Sequence, residues 1–174
     1  MQQITADLLL HAYAIGVFPM ADSSTSTDIH WVDPRQRGVF ELDNFYISRS
    51  LSQRIARNTY TIRTNFDFLA CVRHCANRPE TWINAEIMML YQKLHLMGHA
   101  HSLEVWEEGE MTGGVYGVTL GAAFFGESMF STRTDASKLA LAWLVHRLRA
   151  GGFTLFDTQF LTPHLASLGA VEVS

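Results

Sequence analysis

The sequence predicts a mixed α/β fold, α+β in its layering, and three observations carry that expectation. Residues 102–126 hold three runs rich in Val, Phe, Tyr and Trp and broken by glycines. Amphipathic helix patterns at 66–76 and 84–97 precede them, and a long helix pattern, an apolar run and a short helix pattern follow. Strands gathered in one block with helices on both sides suit a layered mixed sheet and not an all-parallel one. The 174 residues fit one compact domain, or one domain with a small lobe attached. With 48% apolar and 17% charged residues, they supply a sizeable core and argue against extended disorder.

The elements follow in order. Thr5 is the expected cap of a first helix carrying Leu8, Leu9, Ala12 and Tyr13, ending near Gly16. Residues 21–28 read as a loop and 38–42 as a short strand. Ser48 caps a helix with Leu51, Ile55 and Ala56 on its apolar side, and residues 60–63 look extended. Gly98 closes the helix at 84–97. The runs 102–106, 112–120 and 121–126 form a meander, with Glu108-Gly109-Glu110 as the turn between the first two. Thr134 or Asp135 caps the long helix, in which Leu141, Leu144 and Leu148 share a face and which Gly151-Gly152 stops. Residues 153–156 read as a buried strand, and Thr162-Pro163 opens a short helix that Gly169 ends.

Several function classes fall away. No run approaches the roughly 18 apolar residues that span a bilayer, so no membrane partner is expected. Residues 1–10 contain Asp7 and no basic side chain, unlike the positive start of a secretory signal, and a cytoplasmic location is the expectation. Cys71 and Cys75 sit four apart in a helical pattern, too widely spaced for an unstrained disulfide, and read as reduced, partly buried thiols. His95 and His99 lack the H-E-x-x-H pattern because Leu96 and Met97 follow the first of them. Ser128 lacks the second glycine of G-x-S-x-G, and Gly113, Gly114, Gly117 and Gly121 match no phosphate loop. Neither a metal nor a cofactor is expected.

The net charge of −4 hides an uneven distribution. Residues 35–78 hold eight arginines against Glu41, Asp43 and Asp67, a local balance of +5, while residues 1–34 carry −4 and 79–174 carry −5. Such a stretch can hold phosphates in an acidic molecule, or it can be a solvated face. Two carboxylates, Glu127 and Asp157, each end an apolar run. Partial desolvation there raises a carboxyl pKa or demands a cationic partner, which suits a site handling an amine; capping the next turn is the plainer alternative. Gln159 stands two residues beyond Asp157 and would share its face in a strand. Trp82, Phe124, Phe125, Met129 and Phe130 could line a pocket for an apolar side chain or pack in the core, and the neighbourhood of Val115, Phe124 and Met129 is the expected donor pocket.

Collinear motifs cover nearly the whole chain. They are Ala12-Tyr13-Ala14-Ile15-Gly16-Val17-Phe18-Pro19-Met20, Trp31-Val32-Asp33-Pro34-Arg35 with Gly38-Val39-Phe40, and Thr81-Trp82-Ile83. Then come Gly98-His99-Ala100-His101-Ser102-Leu103-Glu104-Val105-Trp106, Gly113-Gly114-Val115-Tyr116-Gly117 and Phe125-Gly126-Glu127-Ser128-Met129-Phe130-Ser131. Asp135-Ala136-Ser137-Lys138, Phe156-Asp157-Thr158-Gln159 and His164-Leu165-Ala166-Ser167-Leu168-Gly169-Ala170 complete the series. In these the chain resembles the leucyl/phenylalanyl-tRNA–protein transferase family.

The resemblance implies a GNAT-like acyltransferase lobe at residues 59–174 and a small N-terminal lobe at 1–58. It implies a cytoplasmic, cofactor-free, monomeric enzyme with two partners: aminoacyl-tRNA carrying Leu, Phe or Met, and a protein with N-terminal Lys or Arg. The tagged product would enter the N-degron pathway of protein degradation. By position, Asp157 and Gln159 match the family's catalytic pair, Gly126 and Glu127 its amino-acid and acceptor-end site, and Trp82 an aromatic near that site. Departures are His30-Trp31-Val32-Asp33-Pro34 where members often carry Trp-Trp-Ser-Pro, and Thr158 where they often carry Cys. The chain also stops at Ser174, where relatives continue with a short basic and aromatic tail, which bears on tRNA affinity more than on the catalytic centre. An acetyl-CoA-dependent acyltransferase and a non-catalytic tRNA-binding module are the alternative readings.

Overall fold

A computed structural model describes residues 4–174, so the first three residues of the 1–10 stretch lie outside the described residues. Helix α1 (Ala6–Ala14) starts where the Thr5 hydroxyl accepts from the Leu8 N–H, as its sequence position predicts. The stretch expected as a loop at 21–28 is the tip of a hairpin, β1 (Phe18–Ala21) paired antiparallel with β2 (Ile29–Val32). After β3 (Arg37–Phe40) and a 3-10 turn at Leu42–Asn44, Ser48 caps α2 (Arg49–Arg57). Strand β4 (Thr61–Thr64) leads to α3 (Phe68–Ala76), capped by Asp67, and α4 (Ala85–Leu96), capped by Asn84.

The expected meander is present and longer than expected: β5 (Ala100–Glu107), β6 (Glu110–Leu120) and β7 (Ala123–Ser131). Helix α5 (Ala136–Ala150) crosses over to β8 (Leu155–Gln159), then α6 (Pro163–Ser167) and β9 (Ala170–Val173) close the chain. Asp135 does not cap α5 with its side chain; it adopts a left-handed conformation at φ 62° and its carboxylate pairs with Lys138 instead. Among the described residues no helix is long and apolar enough to cross a membrane.

Seven strands form one sheet in the order β4-β5-β6-β7-β8-β3-β9, antiparallel throughout except for the β7–β8 pair. A helix between parallel neighbours is the connection such a pair requires. One face buries Leu139, Leu141, Leu144 and Leu148 of α5 against Leu103, Val115, Phe124 and Phe156. The other buries Leu9 and Tyr13 of α1, Phe68 and Val72 of α3, and Ile87 and Tyr91 of α4 against Tyr116, Val118 and Phe125. Tertiary pairing draws β3 into the far side of the sheet, although it is separated in sequence from both its neighbours.

Candidate active site

The parallel pair β7–β8 is short. It runs only from Ala123–Phe125 against Leu155–Asp157; β7 then continues with β6 as far as Ser131, while β8 continues with β3. The two strands therefore part after Phe125 and Asp157, and a fork opens between Gly126–Met129 on one side and Thr158–Gln159 on the other. Each prong carries an irregularity. Tyr116 pairs with Ser128 and Gly117 with Gly126, leaving Glu127 as the extra residue of a bulge. Gly38 pairs with Gln159 and Val39 with Asp157, leaving Thr158 as the extra residue of a second. Bulges re-aim side chains, and these two flank the opening.

The first bulge depends on glycine. A Cβ on Gly117 would sit 2.2 Å from the Phe125 carbonyl oxygen, and one on Gly126 would sit 2.8 Å from the Phe156 ring. Gln159 adopts φ +66°, a backbone state costly for a residue with a Cβ, which persists only where the surroundings impose it. Here they do: the Gln159 N–H donates to Asp157 Oδ1 at 2.7 Å, and its side-chain Nε2 donates to Glu127 Oε1 at 2.8 Å.

Glu127 and Asp157 lie within their strands and not at the ends, as the sequence had suggested, because the pairing of β7 with β6 and of β8 with β3 carries each strand past its carboxylate. Both are buried, Glu127 at 8% exposure and Asp157 at 4%. Asp157 Oδ2 accepts from Arg37 Nε at 2.8 Å, and the same guanidinium donates through Nη1 to the Gly16 carbonyl and lies 5.6 Å from the Phe18 ring. Arg37 belongs to the arginine-rich stretch read as a phosphate-binding face; the structure commits it to a carboxylate instead.

Glu127 meets two phenols. Tyr13 Oη lies 2.6 Å from Oε1, Tyr91 Oη lies 2.7 Å from Oε2, and the two hydroxyls lie 2.6 Å from one another. A closed ring of three oxygen–oxygen contacts needs three protons, and two phenols supply two. Ionised, Glu127 accepts from Tyr13 on Oε1, from Tyr91 on Oε2 and from Gln159 on Oε1; protonated on Oε2, it donates to Tyr91, Tyr91 to Tyr13 and Tyr13 to Oε1, and the ring is filled. Burial pushes the Glu127 carboxyl up to about 7, and the Asp157 charge adds to this against the lowering effect of the three donors. Burial, and then the Glu127 charge, likewise hold both phenols well above the ordinary tyrosine range.

On the α5 side of the fork lies a cavity of about 70 Å³, lined by Val115, Gly126, Glu127, Ser128, Met129, Leu141, Phe156, Thr158 and Leu165. Of the residues singled out in the sequence, Val115, Gly126, Glu127 and Met129 meet here, and Asp157 and Gln159 sit on the adjoining prong. Phe124 does not line the cavity; it packs edge-on against Phe156, ring centroids 5.3 Å apart, in the core. Trp82 packs partly buried against the other core, its carbonyl accepting from the Ala21 N–H. A wider groove of about 980 Å³ by Glu41, Asp43, His146 and Arg149 touches neither Glu127 nor Asp157. Sequence reasoning missed Tyr13, Tyr91 and Arg37 as site residues. Their signal was present only in part, Tyr13 in the 12–20 motif and Arg37 in the basic stretch, each open to another use.

Comparison with known proteins gives this arrangement a family. The model of the leucyl/phenylalanyl-tRNA protein transferases matches residues 39–174, and that of their N-terminal domain matches residues 2–35. The chain belongs to the leucyl/phenylalanyl-tRNA–protein transferase family. It is accordingly an aminoacyltransferase. Family relatives include transferases of this name from Cereibacter sphaeroides (67% identical, 98% of this chain and 79% of the relative), Ruegeria sp. (63%, 98% and 81%) and Jannaschia sp. (56%, 98% and 80%). Among solved structures, FemX aligns at TM-score 0.60 with 12% identity, covering 98% of this chain and 68% of its own. The DUF2156 domain of an Agrobacterium fabrum protein aligns at TM-score 0.50 with 13% identity, over 95% of this chain and 55% of its own. These likenesses show the fold, a mixed seven-stranded sheet with helices on both faces.

Proposed function

We propose that this family member moves Leu, Phe or Met from aminoacyl-tRNA to the N-terminal Lys or Arg of a protein, with Asp157 and Gln159 at the reacting centre. The observation that carries this reading is the fork itself, where Gln159 is pinned by both carboxylates beside an apolar cavity. The donor side chain enters the cavity between Val115, Met129 and Leu141. Apolar burial selects it, with discrimination of about 1–3 kcal/mol for each methylene-scale change.

The donor ester is already activated, so no cofactor is needed and alignment does most of the work. The neutral amine of the acceptor attacks the ester carbonyl carbon, a C–N bond forms, and the C–O bond to the terminal ribose breaks. The amine loses a proton and the departing ribose oxygen gains one. Gln159 spends its amide N–H on Glu127 and its backbone N–H on Asp157, which leaves its amide oxygen for the incoming amine. Asp157, held by Arg37, fixes the strained Gln159 backbone and supplies negative charge beside the developing ammonium. Glu127, closed within its ring, positions Gln159 and contributes no net charge while protonated. In this reading residues 1–58 are a small lobe whose Tyr13 and Arg37 complete the site of the 59–174 lobe. The enzyme works as a cytoplasmic monomer, and its products are marked for the N-degron pathway.

Incubation with labelled leucyl-tRNA and peptides beginning with Arg, Lys or Gly tests the reading. Label should reach the first two peptides and not the third. Absence of label on any peptide, or label that ignores the first residue, would sink it.

A further inference from the structure

We infer that the cleft between the C-terminal half of α5 and the β4–β5–β6 side of the sheet is a second binding site, one for a small apolar monocarboxylate, with Arg147 meeting the charged head. The site stands apart from the fork and does not depend on how the transfer reaction is read.

The cavity has a volume of about 270 Å³ and an apolar floor of Leu103, Phe124, Leu144, Leu148 and Phe153. Small-molecule sites are concave and mostly apolar with a few placed polar groups, and this one lies near the small end of their usual range. It shares no lining residue with the cavity at the fork. Phe124 lines the one and Phe156 the other, and their edge-on contact forms part of the wall between them. Phe124, expected from the sequence to contact the donor, thus faces a different cavity.

The polar groups decide what fits. Among the described residues that line this cavity none is acidic. Asn65 Oδ1 accepts from the Ser102 N–H, which turns its Nδ2 toward His101 Nδ1 at 2.9 Å; His101 Nε2 then donates to the Gly98 carbonyl, and the imidazole is a neutral wall. The Thr119 hydroxyl donates to the His99 carbonyl, and Ser102 Oγ donates to Glu104. The carbonyls of Arg147, Leu148 and Arg149 accept from Gly151, Phe153 and Gly152, so the end of α5 has no free acceptor here to attract a cation. Arg147 is exposed and makes no ion pair among the described residues. An apolar floor with one uncommitted guanidinium beside it suits a ligand with an apolar tail and a single carboxylate, the anion whose shape matches the guanidinium fork.

Titration calorimetry of the intact protein with hexanoate, octanoate, octanol and octylamine tests the assignment. Octanoate should bind about fifteenfold more tightly than hexanoate, about fourfold for each methylene buried. It should bind about fivefold more tightly than octanol, the worth of one exposed ion pair, and octylamine should bind least. Arg147→Gln alters an exposed side chain and should leave the melting temperature in place. It should bring octanoate down to the level of octanol without changing octanol itself. Val115→Phe, which narrows the cavity at the fork, should leave octanoate binding as it was. Octanoate binding that survives Arg147→Gln, or is lost with Val115→Phe, would put the molecule elsewhere and overturn the inference. So would equal affinity for the acid and the alcohol, or no heat from any probe at millimolar concentration.

Discussion

Replacing Glu127 by Gln should change how stability responds to pH more than it changes stability itself. A Gln side chain reproduces the neutral acid: its amide N–H takes the place of the carboxylic proton toward Tyr91, and its carbonyl accepts from Tyr13 and Gln159. In the parent, burial holds the Glu127 carboxyl at about 7, against 4.5 for an ordinary glutamate. Between those values the folded protein keeps a proton that the unfolded chain has released. The stabilisation from this group is therefore full below about pH 4.5 and is lost as the pH climbs through 7. At roughly 1.4 kcal/mol per pH unit the whole effect is about 3 kcal/mol, most of it falling between pH 5 and pH 8. Denaturant unfolding of parent and Glu127→Gln at a series of pH values measures it, because subtraction removes what every other carboxylate contributes. The parent should lose stability relative to the variant as pH rises. Parallel curves would show that Glu127 ionises in the folded state as an ordinary glutamate does, and the proton-filled ring would be wrong.

Asp157→Asn keeps the shape and removes the charge, so turnover should drop about 10²–10⁴-fold with tRNA affinity nearly unchanged; a well-folded variant with near-parental single-turnover transfer would take Asp157 out of the mechanism. Arg37→Gln leaves Asp157 buried without its cation, and unfolding experiments should show a loss of about 3 kcal/mol together with lower turnover. Loss of stability alone, with full turnover per folded molecule, would make the pair structural. Val115→Phe narrows the cavity and should reduce transfer of Phe more than of Leu; equal losses would indicate a core residue. Gly117→Ala places a methyl against the Phe125 carbonyl and should cost about 1–3 kcal/mol by melting, whereas a silent change would mean that the bulge at Glu127 can relax.

Local signals read well where local chemistry decides. Thr5, Ser48 and Thr162 each accept from the N–H three residues on, as helix caps should. The meander was legible because β-branched and aromatic residues recur between glycines. Strand β9 escaped, since its four residues gain order only by pairing with β3, and the β1–β2 hairpin escaped because its polar tip outweighed its short arms. Of the site, the carboxylates and the cavity wall were visible as residue types. Their partners were not: Tyr13 reads as one more apolar residue on a helix face, and nothing local shows that it meets Tyr91 and Glu127 across 78 and 114 residues. Arg37 illustrates the limit of counting charge. Its guanidinium adds to a basic stretch in sequence and cancels a carboxylate in space.

The position of β3 has a consequence for how the molecule comes into being. Its two neighbours in the sheet, β8 and β9, are made of residues 155–159 and 170–173, so a strand synthesised early waits with both edges open until the ribosome has delivered those residues. Until then β3 is a sticky segment with no partner, the kind of edge that pairs with other chains or calls for a chaperone. The contact between Arg37 and Asp157 forms only when that wait ends, because β3 carries one and β8 the other. A nascent or C-terminally clipped chain could build the meander and hold α5 against it, yet it would lack the anchored Asp157. Order of synthesis thus acts as a lock, and the reactive fork is assembled only after β8 and β9 have emerged.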